Sequence, residues 1–367
     1  MNIKVGLVGL PNVGKSSLFN ALTKSSVPAE NYPFCTIDPH VAITHVPDDR
    51  IEKLQKTYDS KKQIPATVSF VDIAGLVKGA AAGQGLGNQF LSNIQEVNLV
   101  LHVLRCFEDD NVIREQGAIN PLEDFETIVN ELMLKDLESL QKRQTKIQAQ
   151  LKKHSISTQE KKDLEAEQIL LGKIAQFIDN LDVANIRQAV LESSVPTIPL
   201  LSSKNFMVIA NVSEEDIDNP EQNKFVQQII EKFGKDRVIP VCVKTELELS
   251  QLDDAEKQEM MDMLGLQKPM LETVIEKSYQ NLGLITFFTC GPQEIHAWPI
   301  KQGTSIKSAA GEIHSDLERG FICAEVFNYN DLQDTPFAKL KEIGKIRTEG
   351  KDYVTQDGDI VLVRFNV

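Results

Sequence analysis

The chain has 367 residues, 41% of them hydrophobic and 25% charged, with a formal net charge of −14. That length suffices for two or three domains with real hydrophobic cores; the acidic balance disfavours broad, non-specific nucleic-acid binding, so no DNA partner is expected and any RNA contact must be local. No apolar run has membrane-spanning length, so no membrane partner is expected, and five scattered cysteines without a C-x-x-C pair argue for reduced thiols in a cytoplasmic protein.

Met1 to Val8 reads as a first β-strand rather than a signal peptide. It runs into Gly9-Leu10-Pro11-Asn12-Val13-Gly14-Lys15-Ser16, a full match to G-x-x-x-x-G-K-[ST], and an amphipathic helix start follows at Ser17. Strand, loop and helix in that order make the motif specific. The glycines let backbone N–H groups curl around phosphates, and the helix N-terminus adds partial positive charge. Asn12, Val13, Gly14, Lys15, Ser16 and Ser17 are therefore the expected phosphate-binding set. Lys15 is placed to reach the β- and γ-phosphates, and the Ser16 hydroxyl to ligate Mg²⁺.

Next comes "NYPFCTIDP", in which Thr36 is the natural second hydroxyl ligand for the metal; the alternative is an ordinary loop threonine. A further apolar strand ends in Asp72-Ile73-Ala74-Gly75, a D-x-x-G motif. There Asp72 would hold Mg²⁺ through a water and the Gly75 N–H would sense the γ-phosphate. Gly79, Gly83, Gly85 and Gly87 follow this motif rather than a strand, so they read as hinges of a switch segment, not as a dinucleotide fingerprint. Leu76 stands where Ras-like GTPases carry the glutamine that orients the attacking water. An aliphatic side chain cannot do that, which predicts slow hydrolysis or a binding switch.

From Pro121 the pattern turns helical. Phe125, Val129, Leu132, Leu140, Ile147 and Leu151 form one apolar stripe; Leu164, Leu171, Ile174, Ile178 and Leu181 form a second. The polar "KKHSIST" between them predicts an antiparallel helical hairpin. Its tip is locally basic, with Lys142, Arg143, Lys146, Lys152, Lys153, Lys161 and Lys162, and it is read either as a solvated face or as a phosphate-facing patch. Beyond it, the strand Met207 to Ala210 ends in Asn211-Val212-Ser213-Glu214, where many nucleotide-binding proteins have Asn-Lys-x-Asp. Cys242-Val243-Lys244 sits after the next strand, its backbone expected to pack on the base without identifying it. The tail reads as short strands around one helix over 306–320, a β-grasp-like module in which His314 and Arg319 could face a partner.

Gly9 to Ser17, "NYPFCTIDP", "DIAGLVKGA", "GLGNQFL" and "RCFEDDN" together resemble the Obg-like ATPase (YchF) subfamily of translation-factor-related P-loop NTPases, and the resemblance runs the length of the chain. It implies an α/β fold: a P-loop, doubly wound sheet (1–120 and 196–280), a helical-hairpin insert (121–195) and a C-terminal β-grasp-like TGS domain (281–367). It also implies a hydrophobic residue at Leu76, Asn-x-x-Glu at Asn211 and Glu214, and preference for ATP over GTP. The residues agree. Guanine is read by an aspartate that accepts from its N1–H and N2-amino groups, and Glu214, one methylene longer, would overshoot. An asparagine amide meets adenine's N6-amino group and N7 together, so Asn211 suits adenine. Alternatively, Glu214 heads a solvated acidic run and reads nothing.

Two further expectations concern turnover. In several P-loop NTPases lacking the catalytic Gln, an asparagine at the position of Asn12 helps hold K⁺ against the phosphates; a loop-stabilising hydrogen bond is the alternative. Family members often carry a histidine shortly after the "RCFEDDN" stretch, whereas this chain has Arg114. An arginine cannot be a general base but can neutralise developing charge as an arginine finger does; the alternative is a surface ion pair. The expected function is a cytoplasmic, Mg²⁺-dependent ATPase switch whose partners are ATP and the ribosome or a ribosomal subunit. A GTPase of the same fold and an ATP-binding scaffold with negligible turnover are the rivals.

Overall fold

The computed structural model describes residues 3–26, 40–73, 86–109, 118–153, 156–195, 197–332 and 337–366. In chain order the elements are β1 (Lys4–Val8), α1 (Lys15–Lys24), β2 (Val41–His45), α2 (Asp49–Tyr58), β3 (Gln63–Ile64), β4 (Thr67–Asp72), α3 (Leu86–Glu96) and β5 (Leu99–Arg105). The helices α4 (Pro121–Leu151), α5 (Thr158–Asp179) and α6 (Val183–Leu191) follow, then β6 (Asn205–Asn211), α7 (Lys224–Phe233), β7 (Val238–Val241), α8 (Val243–Leu249), α9 (Asp254–Met263) and α10 (Met270–Asn281). The last part holds β8 (Leu284–Cys290), β9 (Ile295–Lys301), α11 (Ile306–Ile313), α12 (Ser315–Arg319), β10 (Phe321–Asn328), α13 (Phe337–Glu342), β11 (Arg347–Glu349) and β12 (Asp359–Phe365). Two compact units result. One comprises the described residues within Lys4–Ala21 and Val71–Gln267; the other comprises those within Met1–Ile3, Leu22–Phe70 and Lys268–Val367.

In the first unit β1, β5, β6 and β7 pair in parallel in that order, with Val8 opposite His102, Arg105 opposite Asn211, and Asn211 opposite Val241. Every residue of β5 is buried, as a strand covered on both faces must be. The Ile73 N–H donates to the Leu7 carbonyl (3.2 Å), which brings the D-x-x-G start beside the end of β1. A strand feeding a helix at each turn makes this the doubly wound α/β sheet expected from the sequence.

The two apolar stripes do form a helical hairpin. Asn120 caps α4 with Pro121 in its first turn, and Ser157 caps α5. Leu140 and Ile147 share a core with Leu164, Leu171, Ile174 and Ile178. Leu181 departs from its stripe: α5 has ended at Asp179, Leu181 takes φ 55°, and its side chain is 61% exposed. There the chain turns into α6, a third helix capped by Asp182 that the sequence pattern did not single out.

The second unit contains a sheet in the order β11-β10-β12-β8-β9-β3. Its central β8·β12 pair is parallel and is flanked by antiparallel partners, with α11 packing Ile306 and Ala309 on Phe287, Val326 and Val361. This is a β-grasp-like arrangement. The single helix expected over 306–320 is instead two: His314 is extended (φ −163°, ψ 141°) and its Nδ1 accepts from the Asp316 N–H (3.2 Å), ending α11 and capping α12. The described residues within Leu22–Phe70 share this unit, in which β3 pairs in parallel with β9. In addition, Arg50 bonds both Asp48 (2.8 Å) and Asp357 (2.6 Å).

Candidate nucleotide-binding site

The loop between β1 and α1 is shaped by two backbone conformations that L side chains rarely adopt. Asn12 has φ 64° and Gly14 has φ 97°. At Gly14 glycine is required twice over, because a Cβ there would come within 2.4 Å of Asn211 Nδ2. Gly9 is constrained by packing, since its Cβ would meet the Val103 carbonyl at 2.9 Å. Successive N–H groups in such a turn, running into the start of α1, form a concave anion site. Lys15 is the first residue of that helix and is 9% exposed, whereas Ser16 is exposed and Ser17 half-buried.

The Lys15 ammonium is paired with the Asp72 carboxylate at the end of β4. The loop lysine and the D-x-x-G aspartate, distant in sequence, therefore converge on one point. Among the described residues no group of three or more His, Cys, Asp or Glu could hold a metal. A single carboxylate and an exposed hydroxyl nevertheless fit a Mg²⁺ that is shared with phosphates and waters, because that ion keeps most of its waters and takes few protein ligands. Thr36, Gly75, Leu76 and Arg114 lie outside the described residues.

On the base side the structure gives Asn211 a task that the spacing did not reveal. Its Nδ2 donates to the Val13 carbonyl (2.9 Å) and its Oδ1 accepts from the Val243 N–H (3.1 Å). The side chain is 5% exposed and ties the phosphate loop to the start of α8. One amide hydrogen and one lone pair remain for a purine. The hydrogen can meet N7, which adenine and guanine share, while the lone pair accepts from adenine's N6-amino group and repels guanine's O6. The exposed Glu214 carboxylate is bonded to Lys244 Nζ (2.7 Å), a surface ion pair between the residues that follow β6 and those that follow β7. Hydrogen bonding to Glu214 raises the Lys244 pKa.

The Val212 and Cys242 side chains are both buried, so only their backbone is available to a base. Val212 is 3% exposed in the core, and its N–H is taken by the Val241 carbonyl (3.0 Å). Cys242 is 6% exposed and accepts from the Thr245 hydroxyl (3.2 Å), so its backbone alone is left for a base. Of the basic hairpin tip, Arg143 is held bidentate by Glu167 (2.7 and 2.6 Å), while Lys142, Lys146, Lys152, Lys153, Lys161 and Lys162 are exposed. His314 and Arg319 are both occupied with Asp316.

The sequence pattern did not single out Asp136. It is 1% exposed and accepts from the Leu201 N–H (2.8 Å), the Ser202 N–H (2.8 Å) and the Ser202 hydroxyl (2.6 Å), fixing α4 to the segment that leads into β6. Burial raises its pKa, and these hydrogen bonds oppose the rise. Its signal is an acid at a core position of the first helical stripe, between Leu132 and Leu140.

Comparison with known proteins settles the family. A family model described as "50S ribosome-binding GTPase" matches residues 4–156, and one described as "Protein of unknown function (DUF933)", YchF-GTPase_C, matches 284–366. The protein named "Ribosome-binding ATPase YchF" of Bacillus subtilis (strain 168) is 45% identical over 372 residues, covering all of both chains. The chain belongs to the YchF family. The relative of the same name from Escherichia coli O157:H7 is 42% identical, again over all of both chains. A solved structure, "Structure of the Schizosaccharomyces pombe YchF GTPase", is 36% identical with a TM-score of 0.85, covering 99% of this chain and 98% of that one. The YchF resemblance carried by the motifs is thus confirmed over the whole length. Among the described residues, no helix is long and apolar enough to cross a membrane.

Proposed function

We propose that this YchF-family chain is a Mg²⁺-dependent ATPase that turns over slowly on its own and acts as a cytoplasmic, nucleotide-dependent switch on the ribosome. The observation that carries the reading is the convergence of Lys15, Asp72 and Asn211 on one phosphate loop. Asn211 has a spare lone pair suited to adenine, and Glu214 is occupied by Lys244. Full-length relatives named as ribosome-binding ATPases support the nucleotide and the partner. Lys15 would neutralise charge on the transferring phosphoryl group. Ser16, Thr36 and Asp72 would hold Mg²⁺, which when bound supplies charge neutralisation and alignment of the phosphates. The Gly75 N–H would sense the γ-phosphate. We retain 1–120 with 196–280, 121–195 and 281–367 as the nucleotide-binding part, the hairpin arm and the TGS-like part, and assign local RNA contact to the exposed hairpin lysines.

The second reading is a GTPase of the same fold, favoured by the word GTPase in the matched family's description and in the solved relative's name. Multiple-turnover hydrolysis of ATP and GTP, with and without ribosomes, separates the readings. Slow ATP turnover that rises on ribosomes supports the proposal, whereas stimulated turnover of GTP alone supports the second. Background turnover of both nucleotides under all conditions leaves only a scaffold. Two refinements belong to the same assay. Asn12, whose amide oxygen suits a monovalent cation, gives modest stimulation by K⁺ over Na⁺; equal rates at matched ionic strength remove it. Arg114→Ala lowers ribosome-stimulated turnover while leaving ATP affinity near that of the parent; an unchanged stimulated rate removes Arg114 from the reaction.

A further inference from the structure

At the other end of β6 from Asn211, within the same unit, lies a cavity of about 800 Å³ that the nucleotide chemistry does not use. It opens between the base of the helical insert and α7. Its apolar walls are Phe125 and Val129 of α4, Phe206 of β6 and Phe233 of α7. The three phenylalanines interlock, with ring centroids 4.6 to 5.6 Å apart. At its mouth Leu191 is 78% exposed and Leu181 61% exposed.

Two guanidiniums face this apolar space. Arg187 and Arg237 each lie 5.2 Å from the Phe206 ring centroid, so they are separated by no more than twice that distance. Arg187 donates to the Ser203 carbonyl (3.2 Å) and to the Lys204 carbonyl, and neither arginine meets a carboxylate among the described residues. Burial, with the neighbouring charge of Arg237, pushes the Arg187 pKa down to about 10. Lys232, a further cation of the wall, is neutralised by Glu126. The other acids of the rim are also engaged: Asp182 caps α6, and Glu192 accepts from Gln188 (2.7 Å). Two like charges stacked on one ring are unfavourable unless an anion joins them.

The inner wall supplies a second, independent observation. His102 is 3% exposed, and its Nδ1 is buried without a hydrogen-bond partner among the described residues. It lines a void of about 20 Å³ that shares Phe125, Val129, Val183 and Phe206 with the larger cavity. That void has room for one polar group. Volumes of this size, mostly apolar walls and a few convergent polar groups are the features of small-molecule sites.

We propose that this cavity binds a small organic anion: an acidic head group between Arg187 and Arg237, and a flat apolar body against Phe125, Val129 and Phe233. The site joins the helical insert to β6 and α7, so an occupant would stiffen the base of that arm.

The test uses the full chain and two fluorescent probes of similar shape, anilinonaphthalene sulfonate, which is anionic, and phenylnaphthylamine, which is neutral. One equivalent of the sulfonate should bind about threefold or more tighter than the amine, and saturating MgATP should not displace it. Arg237→Gln and Leu191→Asp should each weaken the sulfonate by about threefold or more, with a smaller change for the amine. Leu191 is exposed, so that variant leaves folding intact, and melting curves check both. Loss of charge discrimination in the parent, displacement by MgATP, or sulfonate binding unchanged in Leu191→Asp would each overturn the site.

Discussion

At its C-terminal end β6 presents Asn211, whose amide is bonded to Val13 and Val243; near its N-terminal end it presents Phe206, with two guanidiniums 5.2 Å from its ring centroid that no described carboxylate meets. Polar groups at the first end close on one another and wait only for a nucleotide. Those at the second end are left open in apolar surroundings. The first pattern preorganises a loop for one chemistry, since a tied asparagine and a positive-φ glycine lose little freedom on binding. The second leaves electrostatic energy unspent until something anionic arrives.

Asp136→Ala should have the largest effect on stability, because it orphans two buried N–H groups and a hydroxyl and frees α4 from the segment leading into β6. We expect about 4 kcal/mol lost in denaturant unfolding. A loss near zero would mean that the insert's base is not held there. Lys15→Ala acts at the other end, removing the cation that the phosphates would meet. Turnover should fall on the order of 100-fold with the melting temperature little changed.

His102 sharpens the contrast through pH. Burial depresses its pKa from the ordinary 6.5 to about 3. The unfolded chain therefore takes up a proton that the fold refuses, and stability falls as pH drops below about 6.5 and continues to fall toward about 3. At pH 5 this amounts to about 2 kcal/mol, and His102→Phe should abolish that part of the acid sensitivity. Parallel stability curves for the two proteins between pH 7 and pH 5 would contradict it. The smallest effect is expected at the exposed Glu214–Lys244 pair. Because the Glu214 carboxylate overshoots guanine even when released, Lys244→Ala should change the ATP-to-GTP affinity ratio by less than about twofold.

The two ends also differ in how far the sequence reveals them. Gly9 to Ser16 and Asp72 to Gly75 are short, fixed-spacing chemistry, so the meeting of Lys15 and Asp72 is legible in the residues alone. The hairpin is visible for a similar reason, since helical periodicity is local. The tie from Asn211 to Val13 spans almost the whole nucleotide-binding unit and has no sequence signature. The cavity is harder still, for its walls come from α4, α6, β6 and α7, each contributing residues that look like ordinary core. His314 shows the reverse error: a smooth helical pattern over 306–320 hides a break made by one side chain capping the next turn. Likewise nothing in the short β3 hints that Gln63 and Ile64 pair with the C-terminal sheet.

The proposed preference for adenine rests on Asn211, with Glu214 held by Lys244. Equilibrium titration of the full chain with fluorescent ATP and GTP analogues, in Mg²⁺ and at one ionic strength, decides it. ATP should bind about tenfold or more tighter than GTP. Equal affinities, or tighter binding of GTP, would contradict it.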